Sequence, residues 1–406
     1  MTRAAFVFIF VTALLDMLAF GIVVPVFPGL VVRLAGGDAV GGAVLYGVFG
    51  AAWAVMQFVF QPVLGGLSDR FGRRPVILLS NLGLGLDYVF MALAPNLAWL
   101  FVGRMVSGIT SSSFSTAGAY IADVTPPERR AGRFALLGVA FGVGFIVGPA
   151  VGGLLGAIDL RAPFWAAAAL SLANFGYGFF ILPESLRPER RAAFELHAAN
   201  PLGALRFVRE RVGLSLLALA AFLAYLAHDS LPSTFVLYTQ YRFAWDERAV
   251  GLALAAVGVS SMVVQGLVVG RTVAWLGEQR ALAAGLLIGM AAQLVMALAP
   301  TTPTFVVSIP LWAFFGLVSP SLMGLASRTV APTEQGRLQG AFGSLHAVAS
   351  VLAPLLFTQA FALAVGDLRA YLLPGAAFLL SAMLLAASLA TASQGPLRRS
   401  ETVAAA

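Results

Sequence analysis

Twelve apolar runs, each about as long as a bilayer is thick, leave this chain few folds to adopt. They occupy about 5–27, 42–66, 75–94, 97–122, 132–157 and 162–182, then 213–238, 248–270, 280–299, 304–329, 338–364 and 370–392. Hydrocarbon offers no water to backbone N–H and C=O groups, so runs of this length must be helices. A polar stretch, 184–211, separates the two sets of six. The expected fold class is an all-α membrane protein with 12 transmembrane helices in two six-helix bundles. The expected domains are 1–183 and 212–406, with 184–211 as a central loop. Only 11% of residues are charged, where soluble chains carry about 25%.

The net charge of +7 raises nucleic acid as a partner, but the positions argue against it. All 25 basic residues are Arg, and they fall into alternate loops instead of forming one basic face. With both termini in the cytoplasm, 19 lie on the cytoplasmic side, five outside and Arg104 within a helix. That bias orients the chain in an inner membrane. The chain has no Cys, so no disulfide, thiolate metal site or thiol nucleophile is expected. The His residues are too scattered for a metal site. The first run lacks a small-residue cleavage site and carries Asp16 near its centre, so it reads as a retained span. No phosphate-cradling loop is present, and no cofactor is expected.

The charged stretch Gly65-Gly-Leu-Ser-Asp69-Arg70-Phe-Gly72-Arg73-Arg74-Pro75 joins the second and third runs. Gly270, Arg271, Gly277 and Arg280 stand at the matching place in the second half, a worn repeat. A short amphipathic helix is expected around Pro201–Arg211, lying on the inner surface.

Charges inside the runs are expensive and therefore informative. Asp16 and Asp87 both fall near mid-bilayer, and Arg104 lies at about the depth of Asp87 across a hairpin. Two readings stand: a structural Asp87–Arg104 ion pair, or a titratable acid beside a fixed positive charge in an aqueous cavity. The seventh run carries His228-Asp229 and the eleventh His346. Imidazole changes charge near neutral pH, so His228 and Asp229 are proton-site candidates. A helix-end role for His228 and a hydrogen-bonded core role for His346 remain open. Gln57, Gln61, Ser107, Ser111, Gln265 and His346 are candidate cavity residues, with ordinary interhelical bonding as the alternative. Gly148-Pro149 and Gly152-Gly153 mark a fifth helix built for close contact.

These motifs together resemble the drug/proton antiporters of the major facilitator superfamily, most closely the tetracycline efflux proteins. The resemblance covers nearly the whole chain. It rests on Leu14-Leu15-Asp16 with Pro25 and Pro28, the Gly65–Pro75 loop, Leu86-Asp87-Tyr88, Gly103-Arg104 through Thr110, Ile121-Ala122-Asp123, and Gly148-Pro149 with Gly152-Gly153. In the second half, Arg242-Phe243-x-Trp245 with Gly251, and Gln335-Gly336-x-x-Gln339-Gly340, are similar too.

It implies the major facilitator fold and proton-coupled efflux of a small drug-like substrate by a monomer embedded in lipid. Asp16 and Asp87 would serve proton coupling or a cationic substrate, and Arg104 would sense the protonation state of the cavity. Gly65, Asp69, Arg70, Gly72, Arg73, Arg74 and Asp123 would form a cytoplasmic gate with Gly336 and Gly340. There Asp69 would meet the helix N-terminus at 336–340, and Arg73 would reach Asp123. Gly148, Pro149, Gly152 and Gly153 would be the antiporter motif. The tetracycline pumps carry a His in the eighth helix and an Asp in the ninth, where this chain has Ser261 and Gly289. His228-Asp229 is expected to stand in for them. The rival readings are a metabolite or sugar exporter on the same fold and a membrane receptor or enzyme that no longer transports.

Overall fold

The structure, a computed structural model, describes residues 3–111, 113–186, 188–191, 208, 212–370 and 373–394. The helix expected around Pro201–Arg211 lies outside the described residues. Every regular element among the described residues is helical.

Ten helical stretches are long and apolar enough to cross a membrane. One of them, Glu247–Leu298, runs 52 residues, roughly 78 Å at 1.5 Å per residue, more than twice the bilayer core. It breaks at Gly277, φ 76° and ψ 162°, and so forms the eighth and ninth spans. Leu97–Thr110 followed by Ser113–Val124 supplies the fourth span. The described residues therefore make twelve crossings.

Prolines explain where spans are interrupted, because each lacks the N–H owed to the carbonyl four residues back. Pro25 and Pro28 coincide with the turn between Arg3–Val23 and Phe27–Leu34 in the first span. Pro232 leaves the carbonyl of His228 without its helical donor, and the seventh span divides there into Val212–His228 and Ser230–Phe243. Pro320 does the same to Gly316, inside the 3-10 turn Phe314–Leu317 of the tenth span.

The chain forms two compact units. Unit 1 contains Met1–Asp38, Ala52–Ala199 and Ala244–Gly258; unit 2 contains Ala39–Ala51, Asn200–Phe243 and Val259–Ala406. Unit 1 is centred on a seam between the first span and the fifth, Pro127–Gly156. A Cβ at Gly148 would lie 2.7 Å from the Cα of Gly21, and one at Gly152 would strike the carbonyl of Ile22. Gly153 meets Gly251 as closely, with a Cβ 2.9 Å from its Cα. Arg161 closes one end of the unit by donating to the carbonyls of Ala92 and Ala94, both at 2.8 Å. These are the last carbonyls of the third span, Arg73–Leu93, where a helix end welcomes a cation.

In unit 2 a buried polar seam crosses three spans. Gln293 Nε2 donates to Ser230 Oγ at 3.0 Å, Ser230 Oγ to Ser381 Oγ at 3.2 Å, and Ser381 Oγ to the Ala227 carbonyl at 2.9 Å. Here too a glycine admits a neighbouring span: a Cβ on Gly47 would collide with Thr358 of the eleventh span, Gln335–Val365.

Candidate functional site

The third and fourth spans bring Asp87 and Arg104 together as their hairpin predicts. Asp87 is 3% exposed. Arg104 and Ser107 lie within interaction range. Gly103 lets the acid approach the fourth span, since a Cβ there would sit 3.2 Å from Asp87 Oδ1. The Arg104 guanidinium lies over two aromatic rings, 4.7 Å from the centre of Phe27 and 5.4 Å from that of Trp53. Such stacking stabilises a cation without neutralising it. A row of rings continues from there, Trp53 to Phe20 to Phe145 to Phe141, with centres 6.0, 6.0 and 4.7 Å apart. Gln57 Nε2 donates to Ser111 Oγ at 3.0 Å nearby on the second and fourth spans. Gln61 is exposed.

Asp16 is held differently. It is buried among the first, third and sixth spans, where Asn174 Nδ2 donates to its Oδ1 at 2.7 Å and to the Thr12 carbonyl at 3.0 Å. Asn81, with its amide nitrogen turned to the acid, adds bonds of 3.0 and 3.2 Å. Tyr88 lies within electrostatic reach of Asp16, Asp87 and Arg104 together. The polar residues of the first half thus form one buried group, in which Asp16 is held by two amides and Asp87 faces Arg104 and Ser107.

The Gly65–Pro75 stretch turns on Gly72, whose φ of 110° suits a residue without Cβ. Arg73 is forked between Asp69 (Nη1–Oδ1 2.6 Å) and Asp123 (Nε–Oδ2 3.1 Å), and also donates to Ser68 Oγ at 2.6 Å. Arg74 donates to the Phe179 carbonyl at 2.6 Å, and Arg70 lies 5.2 Å from the Phe71 ring centre.

Sequence reasoning missed Glu184. Its carboxylate accepts from the N–H groups of Arg73 (2.9 Å), Arg74 (3.2 Å), Ser185 (2.9 Å) and Leu186 (3.0 Å). It thereby caps the third span, whose first N–H groups have no helical partner. A Cβ on Gly72 would hit this carboxylate, so the glycine is needed for space as well as for φ. Tyr120 fixes the chain just before the cap, donating to the Pro183 carbonyl at 2.9 Å, and Ser185 Oγ donates to Asp123 at 3.0 Å. The available signal was a single acid directly after the sixth run, amid arginines. Glu184→Ala leaves two helical N–H groups uncapped and is expected to cost about 1–3 kcal/mol. It should lower the thermal midpoint of the purified protein, with Glu184→Gln in between. An unchanged midpoint for Glu184→Ala removes the cap from the account.

In unit 2, His228 Nδ1 lies 3.2 Å from Asp229 Oδ1, and Ser350 Oγ donates to Asp229 Oδ2 at 2.8 Å. Asp229 is the residue at the Pro232 interruption, so the break sets this pair apart from the regular helix. The His228 ring packs on Trp312 and Phe315, 6.0 and 5.4 Å between centres. One turn earlier, Tyr225 meets His346 edge-on at 4.9 Å. His346 is within electrostatic reach of Asp229. The seventh and eleventh spans therefore share one polar face at two successive levels. Gln265 lies in a π-helical turn, Val264–Val269, with its Cγ 3.2 Å from where a Gly316 Cβ would sit. Around Gly336 and Gly340 a Cβ would meet nothing within 4 Å.

A helical membrane protein with two six-span halves, a glycine-turned charged loop and buried acids has the features of a secondary transporter. The chain belongs to the Major Facilitator Superfamily, whose family profile matches residues 9–354. It is a transporter of the inner membrane and not an enzyme. It is 40% identical over 358 residues to the class C tetracycline resistance protein of Escherichia coli, covering 88% of this chain and 90% of that one. Class B, also from Escherichia coli, is 34% identical over 86% of each. Among solved structures, the human organic anion transporter MFSD10 (TETRAN) superposes with a TM-score of 0.69 at 27% identity, over 96% of this chain and 99% of that one. The nucleoside transporter NupG shares the fold with a TM-score of 0.75 at 13% identity, over 96% of this chain and 97% of that one.

Proposed function

We propose that this protein expels a tetracycline-type amphiphile from the cytoplasm in exchange for protons. The observation that carries the reading is Asp87, a buried acid within reach of Arg104 and Ser107, in a chain 40% identical to a tetracycline resistance protein. In this reading Asp87 is the group that carries the exchanged proton. The row of rings from Trp53 to Phe141 suits a flat aromatic substrate. His228, Asp229 and His346 supply a second polar face in place of the groups missing at Ser261 and Gly289. Asp16, Ser107, Ser111, Gln57, Gln61 and Gln265 complete the polar residues of the path. The moving bodies are the halves 1–183 and 212–406, joined by 184–211, with both termini cytoplasmic and the protein a monomer.

Proton-driven uptake of tetracycline into inverted membrane vesicles tests this reading. Uptake that a protonophore does not reduce, or that equals uptake by vesicles lacking the protein, ends it. MFSD10 favours organic anions as the second substrate class, and a labelled organic anion forms the second arm of the same assay.

Asp69 is the gate latch in this proposal. In its own unit it holds Arg73 while remaining 48% exposed, which leaves it able to accept N–H groups near Gly336 and Gly340 when the cytoplasmic side shuts. Asp69→Asn keeps the shape and removes the charge. It is expected to slow tetracycline transport severalfold with unchanged amounts of folded protein. Wild-type transport by that variant removes the latch.

A further inference from the structure

The elbow between the second and third spans has a copy between the eighth and ninth. A shift of 205 residues (277 minus 72) carries Gly65 onto Gly270, Gly72 onto Gly277, Arg73 onto Glu278 and Asp123 onto Arg328. The backbone keeps this register. Gly72 has φ 110° and ψ 158°, and Gly277 has φ 76° and ψ 162°. Both are conformations that strongly favour glycine.

The residue after each glycine reaches the end of the following hairpin. Arg73 Nε is 3.1 Å from Asp123 Oδ2, and Arg328 Nε is 3.0 Å from Glu278 Oε2. The geometry is the same with the charges exchanged: the guanidinium comes from the elbow in unit 1 and from the span end in unit 2. In both pairs the elbow residue is the more buried partner, 11% against 22% exposed for Arg73 and Asp123, and 20% against 72% for Glu278 and Arg328. Glu278 also has a fitted seat, since a Cβ on Gly324 would lie 2.6 Å from its Oε1. The repeat has therefore kept the tie while losing the residue types, and a search for the arginine motif alone passes over it.

We propose that Glu278–Arg328 is a second gate clasp of reversed polarity, which holds the eighth–ninth elbow to the end of the tenth span during transport. Ion pairs this exposed add little to global stability. Breaking the pair should thus change the position of the elbow more than the folded fraction.

The transport arm of the test rests on the tetracycline reading; the labelling arm does not. The native chain has no Cys, so Ala326→Cys, at a position 0% exposed two residues before Arg328, gives a single thiol. Glu278→Arg alone and Arg328→Asp alone are expected to raise maleimide labelling of that thiol. Each should also cut proton-driven tetracycline uptake by a factor of about 5, with the thermal midpoint unchanged. The double variant, which adopts the polarity of the first clasp, should restore both. Labelling of the single variants equal to the parent, or no restoration in a folded double variant, overturns the clasp. Labelling that follows the expected pattern while the parent moves no tetracycline supports the clasp and rejects the substrate reading.

Discussion

Asp87→Asn is expected to reduce gradient-driven tetracycline uptake to background while leaving substrate binding and energy-independent counterflow in place. Asp87 is 3% exposed. An ionised carboxylate so placed carries a desolvation cost of several kcal/mol. Arg104 offsets part of it, but its guanidinium also interacts with Phe27 and Trp53. Asparagine has the size of the neutral acid and has no proton to release. The variant should therefore hold the protonated shape through the whole cycle. Binding measured by fluorescence quenching, with uptake and counterflow in the same vesicles, separates coupling from affinity. Gradient-driven accumulation by the variant at the parent's level would falsify this role. Loss of binding together with uptake would move Asp87 from the proton site to the substrate site.

Gly148→Ala and Gly152→Ala are expected to be strongly damaging single-methyl changes in unit 1. At Gly148 the new carbon would lie 2.7 Å from Gly21 Cα and 2.9 Å from its carbonyl carbon. Those atoms are backbone and have no rotamer to retreat into. The first and fifth spans must separate locally, and overpacking of this kind costs typically about 1–3 kcal/mol. In a membrane the loss is of packing itself, because lipid supplies no hydrophobic force to press helices together. A lowered thermal midpoint in detergent and less folded protein in membranes are the readouts. Gly138→Ala is the control, since nothing lies within 4 Å of a Cβ at that point of the same helix. Equal midpoints for Gly148→Ala and Gly138→Ala would show that the seam is looser than its geometry.

The helices and the seam were legible in the sequence because their causes are local. Span length follows from bilayer thickness, whereas the breaks at Pro232 and Pro320 were passed over although proline chemistry alone could have marked them. The Asp87–Arg104 approach followed from counting residues on either side of one hairpin. The Asp16 cluster was not legible: Asn174 lies 158 residues away, and no periodicity relates an amide in one apolar run to an acid in another. Glu184 was hidden for a related reason. An acid after a span looks like a solvated loop residue until the fold sets it against the N–H groups of Arg73 and Arg74. The clasp at Glu278 and Arg328 was half visible. The glycines of its elbow stood out, but the exchanged charges concealed the pairing.

The cluster around Asp16 also sets an order on biogenesis. The ribosome delivers the first span and its acid long before the sixth span exists. A chain arrested between residues 81 and 174 contains Asp16 and Asn81 but not the amide that bonds to the acid and to the Thr12 carbonyl. Until then one of the hydrogen bonds that hold the acid cannot form. The first unit is therefore assembled from its far end, and the sixth span is the piece whose arrival lets the first one settle.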